Sequence, residues 1–318
     1  MNLLLARLIA QRVGTALLSL LAVSVIVFAI TVLLPGDAAQ QQLGQEATPE
    51  TLAALRLEMG LTQSGPERYG HWLLGMLKGA PGQSLVSGQG VAEMIGERLP
   101  NSLLLALITA AISVPLALGL GIASAVWRGS WFDRGVTVGA VAVVSVPEFL
   151  VATLAVLIFA VKLKWLPALS YVNDIESVAQ LLKAYALPVL CLCCVIVAQM
   201  MRMTRAAVID QLRAPYIEMV LLKGAKRSRM VLAHALPNAV GPIANAVALS
   251  LSYLLGGVII VETIFNYPGV AKLMIEGVTQ RDMPLVQACA MLFCAAYLML
   301  VTAADIFGIL SNPRLRHP

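Results

Sequence analysis

The sequence predicts an all-α integral membrane protein with six transmembrane helices and a small extracytoplasmic helical insertion after the first helix. Three observations carry this prediction: 59% of the 318 residues are hydrophobic, only 12% are charged, and the mean hydropathy is +0.84. Soluble domains carry roughly 25% charged residues, so this chain lacks the charges that a water-exposed surface requires. A soluble globular enzyme is thereby excluded.

Six apolar segments reach the ~20 residues that a helix needs to cross a bilayer. They are residues 13–34, 99–127, 135–161, 184–201, 235–261 and 283–304. The third segment contains one charge, Glu148, directly after Pro147. The first segment follows Arg7 and Arg12, but it is longer than the ~7–15 apolar residues of a signal peptide. We therefore expect it to stay in the protein as the first span.

The distribution of Lys and Arg predicts the orientation, because cytoplasmic loops carry the excess of positive charge. With the N-terminus inside, the short cytoplasmic segments hold thirteen basic residues and the short external segments hold five. We therefore expect both termini to lie in the cytoplasm.

The predicted spans divide the chain into two parts. Residues 1–98 hold the first transmembrane helix and, from about residue 35, an extracytoplasmic domain whose net charge is −3. Thr48-Pro49-Glu50 opens a short capped helix in this domain, since Thr is a suitable N-cap and Pro suits the first helical position. Residues 99–318 form the five-helix core.

One predicted cytoplasmic segment, residues 202–236, is unusually basic, because it holds seven of the 22 Lys and Arg residues. Apolar residues with helical spacing after Pro215 and a stop at Gly224 predict a short amphipathic helix. A second helical piece is expected from residue 227 to Pro237. A simple solvated loop on the cytoplasmic side would also be basic under the positive-inside rule. The charge alone therefore does not indicate a specific role, and only the spacing of the motifs can.

That spacing resembles the EAA signature of importer-type ABC transporter permeases. Glu218-Met219-Val220 is followed by three residues, by Gly224, by nine further residues and by His234-Ala235-Leu236-Pro237. Met219 and Val220 replace the two alanines of the signature. Other motifs resemble the dipeptide/oligopeptide/nickel branch of that family along essentially the whole chain. They are Leu33-Leu34-Pro35-Gly36-Asp37, Arg98-Leu99-Pro100-Asn101-Ser102, Ser145-Val146-Pro147-Glu148-Phe149, Phe265-Asn266-Tyr267-Pro268-Gly269, Arg281-Asp282-Met283-Pro284 and Asn312-Pro313-Arg314-Leu315-Arg316.

The resemblance implies a type I ABC importer permease that moves di- or oligopeptides across the bacterial inner membrane. Nickel chelates and glutathione-like molecules fall within the same family, and the sequence leaves them open as substrates. The implied partners are a second homologous permease, two ATPase subunits, an extracytoplasmic substrate-binding protein and the lipid bilayer, with no nucleic acid. The implied ATPase-coupling residues are Tyr216, Glu218, Met219, Lys223, Gly224 and Ala225.

The sequence also indicates which chemistry belongs to the partners. It contains no G-x-x-x-x-G-K-[ST] motif, so we expect no cofactor on this chain and expect ATP and Mg in the partner subunits. Its histidines and cysteines lack the spacing of metal ligands. An ion-coupled secondary transporter is the alternative class, but the inverted repeats typical of it are not displayed. An intramembrane enzyme is disfavoured because the spans hold no paired catalytic groups.

Polar side chains within the spans predict a substrate pathway, because charge in a bilayer is expensive. Glu148 either faces that pathway and meets the amino group of a substrate, or caps backbone amides freed by Pro147. Three residues spaced by seven lie on one face of the fifth span, which either lines the pathway or bonds other helices. The candidate pathway residues are Ser145, Glu148, Asn238, Asn245 and Ser252.

Overall fold

The computed structural model of the chain describes residues 3–33, 43, 48–58, 64–170, 172 and 177–311. Within these residues the regular structure is helical, apart from one isolated bridge between Gln83 and Gly90. The predicted all-α class is therefore confirmed. The motifs at residues 34–37 and 312–316 lie outside the described residues.

The described residues form a series of helices. In chain order they are α1 (Leu3–Leu33), α2 (Pro49–Glu58), α3 (Gly65–Leu77), α4 (Val91–Val126), α5 (Trp131–Val144), α6 (Glu148–Ala155), α7 (Val178–Leu212), α8 (Pro215–Leu222), α9 (Arg227–Arg229), α10 (Leu236–Ile264), α11 (Val270–Gln280) and α12 (Met283–Ser311). Turns of π-helix extend α6 over Val156–Lys162 and join α9 to α10 over Met230–Ala235.

Five helical segments among the described residues are long and apolar enough to cross a membrane. They are Ala6–Thr31, Val91–Val126, Val178–Leu212, Met230–Ile264 and Met283–Leu310. The helices α5 and α6 pass the same test only as a pair, and they are bent by 100° at their junction. The described part of the chain therefore has five helices that could each span a membrane, or six candidates if the bent pair counts as one.

The third predicted span differs from expectation, because the helix breaks between α5 and α6. Pro147 has no N–H to donate and disfavours helical backbone at Val146. The Ser145 hydroxyl donates to the carbonyl of Val141 at 2.8 Å, a local bond of the kind that bends helices. Glu148 is the first residue of α6, so it lies at a helix start and not in the middle of a helix.

Two further helix ends deserve comparison with the sequence prediction. The backbone amide of Thr51 donates to the Thr48 hydroxyl at 3.2 Å, which confirms the predicted cap of α2. The helix after Arg227 does not end at Pro237, since it continues through π-helical turns into α10. These wider turns lie just before Pro237, where the missing N–H and the bulky ring disturb regular α-helical bonding.

Packing divides the chain into two compact units. The first consists of Met1–Thr15, Leu104–Tyr267 and Met299–Pro318, and the second of Ala16–Leu103 and Pro268–Leu298. In the first unit, α4, α7 and α10 share an apolar core. It contains Ala125, Val208, Ile209, Val231, Ala239 and Ile243.

A buried ion pair joins α5 to α7 in the first unit. The guanidinium of Arg205 donates to Asp133 through Nε at 2.6 Å and through Nη2 at 2.8 Å. Asp133 is only 3% exposed, and it also accepts a hydrogen bond from the Gly129 amide at 2.9 Å. This two-pronged geometry is the strong form of an Arg–carboxylate contact, and it fixes the start of α5 against α7.

Motifs from distant parts of the sequence meet in the second unit. The Asn101 amide donates to the carbonyl of Pro268 at 2.9 Å, and the Ser102 hydroxyl accepts from the Val270 amide at 2.8 Å. The buried carboxylate of Asp282 bonds the Ser84 hydroxyl and, at 3.2 Å, the Leu85 amide. Asn101, Ser102 and Asp282 therefore each form a hydrogen bond with the backbone of a distant segment.

The helix α3 packs on α1 through an aromatic cluster in the second unit. The ring of Phe28 lies 5.3 Å from that of Tyr69, edge to face, and 5.8 Å from that of Trp72. The hydroxyls of Ser24 and Tyr69 are 2.9 Å apart. Aromatic pairs of this kind contribute about 0.5–1.5 kcal/mol beyond their buried area, so α3 is held on α1 by more than chain connectivity.

Candidate functional site

One side of α8 is buried against the helix that follows it. Ile217 forms a small core with Met230 and Ala235, and partly buried residues surround it. Ala225 is one of those surrounding residues, so this member of the predicted coupling set packs inward. The short helix α8 is therefore a rigid attachment on the segment that leads into α10.

The other side of α8 is exposed. Met219 is 61% exposed and Leu222 is 83% exposed, and the charged Glu218 and Lys223 beside them are exposed as well. Apolar side chains gathered in this way on a short helix are typical of an interaction surface. The sequence prediction omitted Leu221 and Leu222, although their signal was present: an eight-residue helix cannot bury apolar residues on every side.

The hydroxyl of Tyr216 links α8 to the segment at His234 and Asn238. Its hydroxyl accepts from the Asn238 amide at 3.2 Å and lies 3.4 Å from the carbonyl of His234. The Asn238 amide also donates to that carbonyl at 2.9 Å. Asn238, predicted for the substrate pathway, is thus brought to the segment that carries α8.

Gly224 ends α8 in a conformation that favours glycine. Its φ is +78°, and its amide donates to the carbonyl of Leu221 at 2.8 Å. A Cβ at this position would meet no atom within 4 Å, so backbone strain and not crowding selects glycine here. The turn sets the angle between α8 and α9.

Glu148 lies at the break between α5 and α6, where it faces α7 and α10. A Cβ added to Gly257 would lie 3.1 Å from Oε2 of Glu148 and 3.0 Å from Cδ2 of Leu192. The carboxylate is half-buried. Among the described residues, none forms a hydrogen bond or an ion pair with it.

The two interpretations of Glu148 differ in what offsets the energetic cost of its charge. Insertion scales give about 2.5–3.5 kcal/mol for a charged side chain at the centre of a membrane helix. The N-terminus of a helix offsets about 0.3–1 kcal/mol of such a cost, and up to ~2 kcal/mol in partly buried sites. The start of α6 thus compensates only a part, and no backbone amide in the described chain bonds the carboxylate. Amide capping is therefore not observed for Glu148 within the described residues.

The remaining candidate pathway residues are not joined to Glu148 by hydrogen bonds in the described part of the chain. Ser252 is buried and donates to the carbonyl of Ala248 at 2.9 Å, within its own helix. Asn245 is exposed on α10. Ser145 is occupied by the backbone of α5. The structure also holds no group of three or more His, Cys, Asp and Glu side chains suited to a metal ion among the residues searched.

Several helices long enough to span a membrane, with an exposed apolar face on the short helix α8 between two of them, are the features expected of a transport permease that binds other subunits. Two family models bear this out. The binding-protein-dependent transport system inner membrane component matches residues 117–317, and the N-terminal model of that membrane component matches residues 5–106. The chain belongs to this family, the permeases of ABC importers.

Similar curated proteins cover nearly the whole chain. A protein of Brucella abortus (strain 2308), named as a peptide transport system permease protein, is 34% identical over 310 residues, which are 98% of this chain and 99% of that protein. A glutathione transport system permease protein of Pectobacterium atrosepticum is 36% identical over 300 residues, 94% of this chain and 95% of that protein. Its counterpart in Salmonella choleraesuis is 35% identical over the same shares. These matches confirm the family resemblance that the motifs indicated. They also confirm that the chain is a multi-pass protein of the inner membrane.

Proposed function

We propose that the chain translocates di- or oligopeptides across the inner membrane and that ATP hydrolysis in partner subunits drives the transport. A second homologous permease completes the pathway, two ATPase subunits bind at α8, and an extracytoplasmic binding protein delivers the substrate. Both termini and α8 lie in the cytoplasm, and ATP and Mg bind only to the partners. The exposed apolar face of α8 is the observation that carries this proposal.

The packing of α8 explains how ATP hydrolysis in the partners would act on the membrane helices of this chain. Closure of two ATPase subunits displaces the exposed face of α8, and the buried face carries that displacement into the helix that starts at Met230. Packed helices respond to such a push by moving between two discrete arrangements. ATP binding then biases the inward-facing and outward-facing states, because the ATPases interact differently with each of them.

Glutathione is a second candidate substrate, and the names of two similar permeases favour it. It resembles a peptide in size and in its free amino and carboxyl groups. The uptake of labelled dialanine and of labelled glutathione, measured in competition, separates the two candidates.

Dependence on ATP hydrolysis tests the proposed function directly. The measurement is dipeptide and glutathione uptake in cells in which the P-loop lysine of each partner ATPase is replaced. We expect uptake through this permease to disappear, because its sequence contains no G-x-x-x-x-G-K-[ST] motif and the proposal places ATP hydrolysis in the partners. Uptake that persists at the wild-type rate would favour an ion-coupled secondary transporter instead.

Replacement of Gly224 tests the coupling role of α8. We expect Gly224→Leu to reduce transport per ATP hydrolysed by tenfold or more without preventing membrane insertion, because a side chain at φ +78° is strained and turns α8. Gly79→Leu is the matched control, since Gly79 has φ +73° and also has nothing within 4 Å of its Cβ position, but lies in the turn after α3 and outside α8. Equal losses in both variants would contradict a specific role for the α8 turn.

A further inference from the structure

We propose that the Glu148 carboxylate binds the protonated amino group of the cargo as it passes through the membrane. The inference rests on the proposed function, since it assigns a substrate group to the pathway. It concerns the break between α5 and α6, where α6 begins at Glu148. The chemistry recognised is an α-ammonium group, which an unblocked peptide and glutathione share.

The position of the carboxylate is the first support. The fourteen residues of α5 correspond to a rise of about 21 Å, so Glu148 lies well away from the Trp131 end of that helix. An acid at such a place within a membrane-spanning segment indicates a functional site by default. The carboxylate is half-buried, so part of it stays accessible from outside this chain.

The free state of the carboxylate is the second support. Charged side chains within a bilayer pair with one another or with backbone groups, yet Glu148 has no hydrogen-bonding or ion-pair partner among the described residues. By contrast, Asp133 of the same helix pair is fully engaged by Arg205. A positively charged ligand would supply the ion-pair partner for Glu148 that the described residues do not provide.

The surroundings select the type of cation. A divalent metal ion needs several protein ligands, and the described residues offer no cluster of His, Cys, Asp and Glu. An ammonium group is satisfied by one carboxylate and a few hydrogen-bond acceptors, and its carrier can leave again. Gly257 lies directly beside the carboxylate, with the Leu192 side chain next to it, and the half-buried carboxylate remains accessible to such a group.

Gly257 keeps this site open, and its neighbour Gly256 provides a matched control. A Cβ at Gly257 would crowd the carboxylate at 3.1 Å, whereas a Cβ at Gly256 meets nothing within 4 Å. Both glycines lie in α10, so a change to alanine alters helix propensity equally. We expect Gly257→Ala to slow dipeptide uptake at least threefold and Gly256→Ala to leave it unchanged. Equal rates in the two variants would contradict a role for the space beside Glu148.

Substitution of the acid itself is the central test, performed in the full complex with its partner subunits. We expect Glu148→Gln to slow uptake of dialanine and of glutathione at least tenfold, with ATP hydrolysis retained, because an amide cannot balance an ammonium charge. Glu148→Asp keeps the charge and should retain a substantial part of the rate. Wild-type uptake in Glu148→Gln would overturn the inference but leave the proposed function intact, while absence of uptake in the wild type would overturn the proposed function.

A binding measurement on the unaltered complex covers the case in which Glu148→Gln does not assemble. Dicyclohexylcarbodiimide modifies carboxyl groups in apolar surroundings, and mass spectrometry of the peptide that contains Glu148 reports the rate. We expect dialanine or glutathione to slow modification of Glu148 severalfold, whichever of the two is the cargo, and N-acetyl-dialanine to have no effect. Equal protection by the blocked and unblocked peptides would show that the amino group is not recognised.

Discussion

The ion pair between Arg205 and Asp133 offers the sharpest test of the packing argument. The change is Arg205→Met, which keeps an apolar side chain of similar reach but leaves Asp133 without its cation. Removal of one partner of a buried pair costs about 3–5 kcal/mol. A quarter of the Arg205 side chain is exposed, against 5% for Asp133, so we expect the lower end of that range, about 3 kcal/mol.

The chain supplies its own probe for this measurement. Cys191 of α7 and Cys289 of α12 are buried free thiols, so a thiol-reactive fluorophore reports their exposure as the protein unfolds in mixed detergent micelles. Arg213→Met is the control, because the contact between Arg213 and Asp210 is 3.9 Å long and both side chains are about two-thirds exposed. Such surface pairs contribute about 0–1 kcal/mol.

A double variant separates two contributions to the lost stability: the missing ion pair itself and the cost of leaving Asp133 buried without a partner. Asp133→Leu combined with Arg205→Met removes both charges, and apolar replacements of buried pairs are often neutral or stabilising. We therefore expect the double variant to recover most of the stability lost in Arg205→Met. The reasoning is refuted if Arg205→Met is no less stable than Arg213→Met, or if the double variant is less stable than either single one.

Two further predictions concern close packing and the Asp282 contact. Gly121→Ala should lower the free energy of unfolding by about 1–3 kcal/mol, since its Cβ would lie 2.8 Å from the carbonyl oxygen of Met201. Gly119→Ala is the control. Its Cβ would meet nothing within 4 Å, so this change should be neutral or stabilising by about 0.5–1 kcal/mol. The same thiol assay checks both, and equal values would contradict the close approach of α4 to α7. Asp282→Ala should cost about 1–3 kcal/mol and speed hydrogen exchange at the Leu85 amide, its bonded partner at 3.2 Å; unchanged exchange there would show that the contact does not hold the loop.

Most of the fold was predictable because the determining signal is local. A run of apolar residues is itself the condition for a membrane helix, so the long helices of the described chain follow from the sequence with shifted ends. The cap of α2 and the glycine at the end of α8 were likewise predictable. Thr48 and Gly224 act on their immediate neighbours.

What the sequence could not supply depends on contacts between distant residues. Asp133 and Arg205 are 72 positions apart, and neither has a sequence neighbour that predicts the other. The bond between Asn238 and Tyr216 could not be predicted for the same reason, since it crosses 22 positions. Pro147 was visible, but a proline inside a membrane helix is compatible with a kink, a break or a continuous helix. The outcome depends on how α7 and α10 pack around it.

The ion pair between Arg205 and Asp133 joins the helices that lead to the two proposed sites. Arg205 lies on α7 ten residues before Pro215, where α8 begins, and Asp133 lies on α5 fifteen residues before Glu148. Two hydrogen bonds of 2.6 and 2.8 Å hold these helices together, and α5 cannot shift along α7 without breaking them. If the proposed displacement of α8 moves α7, we expect α5 to move with it, because the ion pair links the two helices. The break after Val144 separates α5 from α6, so we expect such a push to change the surroundings of Glu148 at that break.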